Sequence, residues 1–267
     1  MERTHTNILM VAAARTGSTR LTLLCSAYPE LNALGEIFNV NADPTSPFRS
    51  TQLLCELGAI ASNDHRLARD FCLSKPLEVL RIFEGNGKTN VLKVAPNHLP
   101  TDVLSDLIKT QISGVIFLTR NPIDSFISLQ KARMVKAWGR VDTTDIRVTL
   151  TVPEFVNYCR KLNEFYEFCL KKTAQNSLPA ISMCYETDIN IPDRAAHASL
   201  YKKLVALGVQ QKSTALTAMG EGHVFKQDKN LDYASKVTNW DEFVYELACQ
   251  GNLRLMRTLP CFRSLRV

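Results

Sequence analysis

Short apolar runs alternate with longer amphipathic stretches along this chain. Four short runs are mainly apolar, as strands buried on both faces are: residues 7–13, 90–95, 115–119 and 181–185. Stretches with helical periodicity lie between them, and the clearest, residues 153–172, carries one apolar stripe and a proline at its start. This alternation predicts an α/β fold, a central parallel sheet flanked by helices with a P-loop-like nucleotide-binding topology. Residues 1–267 are expected to form a single domain, in which residues 39–90 and 143–152 are less regular and are interpreted as insertions or lids.

Composition narrows the classes of protein to consider. Hydrophobic residues make up 45% and charged residues 22%, as in ordinary globular proteins. No apolar run approaches the roughly 20 residues of a membrane-spanning helix, and residues 8–14 are too short for a signal peptide. The eight cysteines show no C-x-x-C pairs, which favours reduced thiols in a cytoplasmic protein over a disulfide scaffold or a zinc site. The net charge of +6 is too small to indicate a nucleic-acid partner, but it suits an anionic ligand.

A candidate phosphate-binding turn follows the first predicted strand. It joins that strand to a predicted helix and runs Arg15-Thr16-Gly17-Ser18-Thr19-Arg20. Backbone N–H groups at a helix N-terminus bind anions together with the helix dipole, and a glycine lets the chain approach the anion closely. The hydroxyls and both arginines add further donors. The turn lacks the G-x-x-x-x-G-K-[ST] pattern of ATP- and GTP-cleaving loops and the G-x-G-x-x-G pattern of dinucleotide folds. A sulfuryl donor, whose transferred group carries less charge than a phosphoryl group, fits this turn without a metal.

A second candidate anion site follows the strand at residues 115–119. Arg120 stands at the strand end, Pro122 follows in the turn, and a helix is predicted to begin near Asp124. Open α/β sheets place ligands at the carboxyl ends of their strands. Ser128 lies in the first turns of the helix, so Arg120 and Ser128 are expected to reach one phosphate. Taken alone, the segment fits a strand-end arginine paired with Asp124 and a surface serine better than it fits an anion site.

Together the two segments resemble the sulfotransferases that use 3′-phosphoadenosine-5′-phosphosulfate (PAPS). An R-[ST]-G-[ST]-[ST] loop with an R-x-P-x-D-x-x-x-S segment is the pattern of that family. The resemblance implies that the loop binds the 5′-phosphosulfate and that Arg120 and Ser128 bind the 3′-phosphate. Arg15 stands where cytosolic eukaryotic members have lysine, which is similar to the bacterial carbohydrate and nodulation-factor branch.

Two further segments are similar to the same family. Tyr185, within Cys-Tyr-Glu, resembles the tyrosine of a Y-E-D motif that lies near the adenine. The segment Lys236-Val237-Thr238 resembles a basic segment that closes over the 3′-phosphate. These matches imply that Tyr185 and residues 236–238 bind the donor.

Sulfuryl transfer benefits from a base near the attacking group, and two candidates are present. Glu36 follows a glycine, and the bacterial enzymes that this chain resembles have a Gly-Glu carboxylate base at that place. His98 is similar to the histidine of a Lys-Thr-His-Leu-Pro motif in the cytosolic enzymes, with two more residues between Lys93 and His98 here. Glu36 is preferred over His98. Lys93, in an apolar strand, is a candidate to stabilise the leaving oxygen, although a strand-end lysine that reaches solvent fits equally well.

The resemblance implies transfer of a sulfuryl group to a hydroxyl, or an amine, of a small-molecule or glycan acceptor. Two alternatives remain at this stage. An ATP-dependent small-molecule kinase would use the same loop, and a non-catalytic nucleotide-binding module would keep the loop and Arg120 without needing an acid beside the sulfur. The identity of the acceptor and the oligomeric state are not encoded in any pattern of the sequence.

Overall fold

The computed structural model of the chain describes residues 7–39, 51–84, 87–136, 141–209 and 231–262. Its centre is a parallel sheet of five strands in the order β2-β3-β1-β4-β5. The strands are β1 (Asn7–Ala12), β2 (Leu31–Gly35), β3 (Thr89–Val94), β4 (Gly114–Thr119) and β5 (Ala180–Cys184). Every pairing between neighbouring strands is parallel, so the predicted α/β class is confirmed.

Helices cover both faces of this sheet. They are α1 (Ser18–Ser26), α2 (Thr51–Glu56), α3 (His65–Ser74), α4 (Pro76–Glu84), α5 (Thr101–Thr110), α6 (Pro122–Met134), α7 (Val152–Gln175), α8 (Asp193–Ala206), α9 (Tyr233–Lys236) and α10 (Trp240–Cys249). Alternate side chains of β1 enter two separate cores: Ile8 and Met10 pack with α1 and α8, while Leu9 and Val11 pack with α5, α6, α7 and α10. Among the described helices, none is long and apolar enough to cross a membrane.

The strand β2 is not predicted by the hydrophobic pattern. Its five residues include Asn32 and end at Gly35, and the register with β3 shifts between Ala33 and Gly35. β2 is an edge strand and has a partner strand on one side only. Such a strand depends less on a continuous apolar run than a central strand does. This strand bears on the candidate site because Glu36, the predicted base, follows it directly.

The two segments interpreted as insertions or lids differ from each other. Within residues 39–90, the described part is mainly helical and packs into the core, so its interpretation as an irregular insertion is wrong there; residues 40–50 lie outside the described residues. Residues 143–151 do lack helix or strand, but Val148 forms an isolated bridge with Val237. That bridge connects the segment to the carboxyl-terminal part of the chain.

The strand order creates a crevice at one position on the sheet. The chain leaves β1 toward β2, beyond β3, whereas it leaves β4 in the opposite direction toward β5. Ligands of open α/β sheets bind where neighbouring strands diverge in this way, outside their carboxyl ends. The two predicted anion motifs follow β1 and β4, so both border this crevice.

Candidate active site

The loop after β1 leaves the start of α1 open to a ligand. Gly17 is the N-cap residue of α1, with φ of 86°, and has no side chain with which to cap the helix. Arg15 also has a positive φ, 65°. The hydroxyl of Thr16 is turned inward and donates to the carbonyl of Ala13 at 2.8 Å, which closes the turn. The backbone N–H groups at the start of α1 therefore face the crevice without a side-chain cap from Gly17, as an anion site requires.

Gly17 is required at its position for two reasons. Its left-handed conformation is one that side-chain-bearing residues rarely adopt, and a Cβ there would lie 2.3 Å from Cδ2 of the Tyr185 ring. Tyr185 begins a π-helical turn, Tyr185–Ile189, directly after β5. The structure thus brings the predicted donor-binding tyrosine against the predicted phosphate loop.

The two anion motifs meet in one place. The Nη1 of Arg120 donates to the carbonyl oxygen of Arg15 at 2.7 Å, and the Nε of Arg15 donates to the Oγ of Ser128 at 3.0 Å. The guanidinium of Arg120 also lies over the Tyr185 ring, 4.4 Å from its centroid. Among the described residues, no acceptor bonds to the buried Nε of Arg120. Two cations, a hydroxyl and an aromatic face thus surround the crevice.

The pKa of Arg15 reflects this crowding of positive charge. Burial lowers the pKa of the Arg15 guanidinium, and the neighbouring charge of Arg120 lowers it further. An anion placed between the two guanidinium groups would counteract both the cost of burial and their mutual repulsion, because its charge stabilises both cations. The electrostatics of the site therefore favour an anionic ligand.

Not every residue of the loop faces this ligand position. The guanidinium of Arg20 donates to the carbonyl of Ile191 and to Asp193, each at 2.7 Å, so the structure directs Arg20 toward the start of α8. Thr19 is exposed, whereas Ser18, the first residue of α1, is buried. The structure brings Arg15, Gly17 and the start of α1 to the crevice, but it does not bring Arg20 to Arg120.

Glu36, Lys93 and His98 form a second cluster. The Nζ of Lys93 donates to Oε1 of Glu36 in a short ion pair, and Nε2 of His98 lies 4.0 Å from Oε2 of the same carboxylate. Asn39 donates to Oε2 of Glu36 at 2.7 Å. Lys93 is only 5% exposed, so it is not a strand-end lysine in solvent. All three predicted catalytic residues lie together, despite the longer spacing between Lys93 and His98.

A tight turn absorbs that longer spacing. The N–H of His98 donates to the carbonyl of Ala95 at 3.1 Å, and Asn97 takes a positive φ of 68°. Asparagine tolerates this left-handed conformation better than most residues. The turn accommodates the two additional residues and places the His98 side chain near the end of β3.

The ionisation of this cluster follows from burial and from Lys93. Burial raises the pKa of Glu36, but the charge and hydrogen bond of Lys93, with smaller help from His98 and Asn39, bring it below its ordinary value. Burial lowers the pKa of His98 to about 4, and the opposing effect of Glu36 does not compensate. At neutral pH the Glu36 carboxylate is therefore ionised and the His98 imidazole is neutral.

Strand register relates this cluster to the phosphate loop. Lys93 lies opposite Met10, and Val94 lies opposite Val11, so β1 and β3 end side by side. Because the strands are parallel, the residues that follow them emerge at the same edge of the sheet. The acid–base cluster and the loop beginning at Ala13 are therefore neighbours along the carboxyl edge.

The carboxyl-terminal segment that includes Lys236, Val237 and Thr238 is attached to the second anion motif through Tyr233. The Tyr233 hydroxyl donates to Asp124 at 3.2 Å, one helical turn before Ser128, and the Nζ of Lys236 lies 5.4 Å from the centroid of the Tyr233 ring. Val237 and Thr238 continue along Val148, where the N–H of Thr238 donates to its carbonyl at 2.9 Å. The segment therefore borders α6, with Lys236 largely buried.

Sequence reasoning missed several residues that organise the site. Tyr233 stacks on Trp240, Asn39 orients Glu36, and Glu186 accepts from the backbone N–H of Asn121 at 2.9 Å. Tyr166 lies in the predicted apolar stripe of α7, yet its hydroxyl bonds to Ala13, the residue after β1, and to Leu118 of β4. The signal available in the sequence was a hydroxyl-bearing aromatic at a position that the helical period predicts to be buried.

Comparisons with known proteins add little to this picture. No protein-family model matches the chain, and no curated protein matches it significantly. Among the solved structures, 11 chains match. One is a sulfotransferase domain from the Synechococcus PCC 7002 olefin synthase, with 14% sequence identity and a TM-score of 0.47 over 88% of this chain and 89% of that chain. A likeness at this level carries no argument about activity, so the function must follow from the chain's own residues.

Proposed function

We propose that this protein is a PAPS-dependent sulfotransferase that acts on a hydroxyl, or an amine, of a small-molecule or glycan acceptor. The observation that supports this most directly is the contact between the two anion motifs, in which Arg15 bonds to Ser128 and Arg120 bonds to the backbone of Arg15. A nucleotide with phosphates on both its 5′ and 3′ positions needs two anion sites a ribose apart. The contacts between Arg15, Ser128 and Arg120 bring the two candidate anion motifs together in the crevice between β1 and β4, which supports this proposal.

Each part of the donor has a candidate partner. The N–H groups at the start of α1 and the Arg15 side chain are suited to the 5′-phosphosulfate, because a helix N-terminus and a guanidinium both stabilise negative charge. Arg120 and Ser128 are suited to the 3′-phosphate, and the segment from Lys236 to Thr238 would cover it. Tyr185 offers an aromatic face for the adenine.

The chemical step requires a proton acceptor and a stabilised leaving group. In our scheme Glu36 removes the proton from the acceptor hydroxyl while that oxygen attacks sulfur in line. The new oxygen–sulfur bond forms as the bond from sulfur to the 5′-phosphate oxygen breaks, and Lys93 and the loop N–H groups stabilise the charge that develops on that oxygen. The scheme uses no metal. His98, neutral and 4.0 Å from Glu36, is the alternative base.

The ion pair between Glu36 and Lys93 suggests how the base is activated. Lys93 is the chief cause of the low pKa of the Glu36 carboxylate. If the Lys93 ammonium turns toward the negative donor, that effect weakens and the carboxylate becomes a better proton acceptor. Donor binding would therefore prepare the base for the acceptor.

Titration calorimetry with 3′-phosphoadenosine-5′-phosphate (PAP) and with ATP tests the proposal. PAP should bind at least about tenfold more tightly, since a charge-assisted contact to its 3′-phosphate contributes about 1.5–3 kcal/mol. ATP lacks that phosphate. A clear preference for ATP would instead favour a kinase and end the sulfotransferase proposal.

A further inference from the structure

Tyr166 connects the two strands that border the crevice. It lies on α7, is 1% exposed, and its hydroxyl accepts from the N–H of Ala13 at 3.1 Å and donates to the carbonyl of Leu118 at 2.7 Å. Ala13 is the residue after β1, and Leu118 is the penultimate residue of β4. One hydroxyl group therefore bridges both strands where the phosphate loop begins.

The strand register shows which backbone hydrogen bond this bridge replaces. The pairing of β1 with β4 runs to Ala12 opposite Leu118. The next step of a parallel ladder would let the N–H of Ala13 donate directly to the carbonyl of Leu118. The Tyr166 hydroxyl bonds to both of these groups instead, and so stands between the N–H of Ala13 and the carbonyl of Leu118.

The bridge lies beside a cavity. This cavity has a volume of about 190 Å³, and its wall includes Thr16 of the phosphate loop, Arg120 of the second motif and Tyr166 itself. The loop that follows Ala13 carries Arg15, whose carbonyl and side chain contact the second motif. A shift of Ala13 toward β4 would therefore move the groups that are proposed to bind the donor.

We propose that Tyr166 is a positioning residue that holds the phosphate loop at the correct distance from β4 for donor binding. This inference rests on the proposed function, since the donor is the ligand whose affinity it sets. Burial raises the pKa of the Tyr166 phenol well above its ordinary value, so the hydroxyl keeps its proton and remains a donor to Leu118 at every working pH. The ring is held by edge-on packing against Phe262, with centroids 4.9 Å apart.

The test compares Tyr166→Phe with a matched control, Tyr158→Phe. Tyr158 is a half-buried tyrosine on α7 with a buried hydroxyl, and its ring packs against Phe126 with centroids 5.1 Å apart. Both variants lose one buried hydroxyl, but only Tyr166→Phe loses the bridge. Without the bridge, the ladder can close by one step and draw the loop toward β4.

Calorimetric titration with PAP and with ATP, and urea unfolding of each protein, supply the readouts. We expect Tyr166→Phe to lose between about 10- and 100-fold in affinity for the preferred nucleotide, as misplaced binding groups do. Its midpoint of unfolding should stay near that of Tyr158→Phe, whose affinity should equal that of the wild type. Amide exchange of residues 12–18 should change in Tyr166→Phe alone.

Two results would overturn the inference. One is a Tyr166→Phe protein that binds within twofold of the wild type. The other is an equal loss of affinity and of stability in both variants, which would mean that the hydroxyl serves packing alone. Failure of the proposed function would be a separate outcome. If the wild type prefers ATP, PAPS is excluded as the donor. The affinities of the two variants for ATP would then still test whether Tyr166 positions the loop.

Discussion

Along the amino edge of the sheet, where its strands begin, three asparagines are hydrogen-bonded to one another. Along the carboxyl edge, where the strands end, two arginines lie close together. Asn90 donates to Oδ1 of Asn7 at 2.9 Å, and Asn32 donates to Oδ1 of Asn90 at 3.0 Å. The amide of Asn7 donates in turn to Glu84 at 2.8 Å and to the carbonyl of Gln111 at 3.1 Å. Asn7 and Asn90 are fully buried, and the network supplies their partners from within the chain.

The carboxyl edge is organised differently. Arg15 and Arg120 lie close enough for Arg120 to lower the pKa of Arg15, in addition to the effect of burial. Lys93 is nearly buried, and its ion pair with Glu36 leaves that carboxylate 38% exposed. These charged groups all lie along the carboxyl edge of the sheet.

The two edges of the sheet thus differ in the residues they hold: polar groups that stabilise the fold at the amino edge, and charged groups that we propose to bind the donor at the carboxyl edge. Buried polar groups that satisfy one another stabilise the fold and specify its strand register. Like charges that lie close together cost free energy until a ligand neutralises them, as expected of a binding site. We therefore expect changes at the amino edge to affect unfolding and changes at the carboxyl edge to affect binding and transfer.

The largest effect should come from Glu36→Gln. The amide preserves the size of the side chain but cannot take a proton, so single-turnover sulfuryl transfer at saturating PAPS should slow by about 10²–10⁴-fold. PAP affinity should remain near that of the wild type. His98→Asn, measured beside it, should slow transfer much less. A near-normal rate for Glu36→Gln with an inactive His98→Asn would assign the base to His98.

Arg120→Ala should have the next largest effect, on donor affinity. Loss of the charge-assisted contact should weaken PAP binding by about 1.5–3 kcal/mol, or roughly 10- to 100-fold. The affinity for adenosine-5′-phosphate, which has a 3′-hydroxyl, should fall less. Calorimetry with both nucleotides measures this difference, and equal losses would mean that Arg120 does not recognise the 3′-phosphate.

Asn90→Ala should act on stability instead. The change leaves the Oδ1 of Asn7 and the amide of Asn32 without their shared partner, which should lower the free energy of unfolding by about 1–3 kcal/mol. Asn32→Ala, at the half-buried edge strand, is the control and should cost less. Urea unfolding of both proteins gives the comparison. An Asn90→Ala protein as stable as the wild type would show that the amide network contributes little.

The smallest effect concerns pH. The pKa of His98 is about 4 in the folded protein and about 6.5 when unfolded, because burial disfavours the charged ring. The unfolded chain then binds more protons between these values, so stability should be complete above pH 6.5 and fall as pH decreases toward 4, by at most about 1.4 kcal/mol per pH unit. His98→Asn should reduce that slope in urea unfolding between pH 7 and pH 5. An unchanged slope would mean that His98 is not the group responsible.

The hydrophobic pattern was sufficient for the central strands because they are buried on both faces. It did not predict β2, whose short run is interrupted by Asn32 at an edge. Periodicity reports which side chains are buried near one another along the chain. It carries no information on partners such as Tyr28, whose hydroxyl donates to the carbonyl of His197 at 3.0 Å.

The predicted site residues differ in how well local sequence describes them. The turn at Gly17 and the strand end at Arg120 have local signatures, because a helix N-terminus and a strand terminus are local features. The bridge by Tyr166 depends on a helix that begins more than a hundred residues after the loop that it contacts, and no local pattern encodes that distance. The same holds for Arg20, whose partner Asp193 is brought to it only by the packing of α1 against α8.

The most direct test of this division of the sheet is the rise in melting temperature that saturating PAP produces in the wild type, in Asn90→Ala and in Arg120→Ala. A ligand that binds only the folded state stabilises it in proportion to the logarithm of its concentration relative to its Kd. We predict that Asn90→Ala melts at a lower temperature without ligand yet keeps the full rise, while Arg120→Ala melts near the wild-type temperature and loses most of the rise. A full rise in Arg120→Ala, or the loss of it in Asn90→Ala, would contradict the assignment of donor binding to the carboxyl edge.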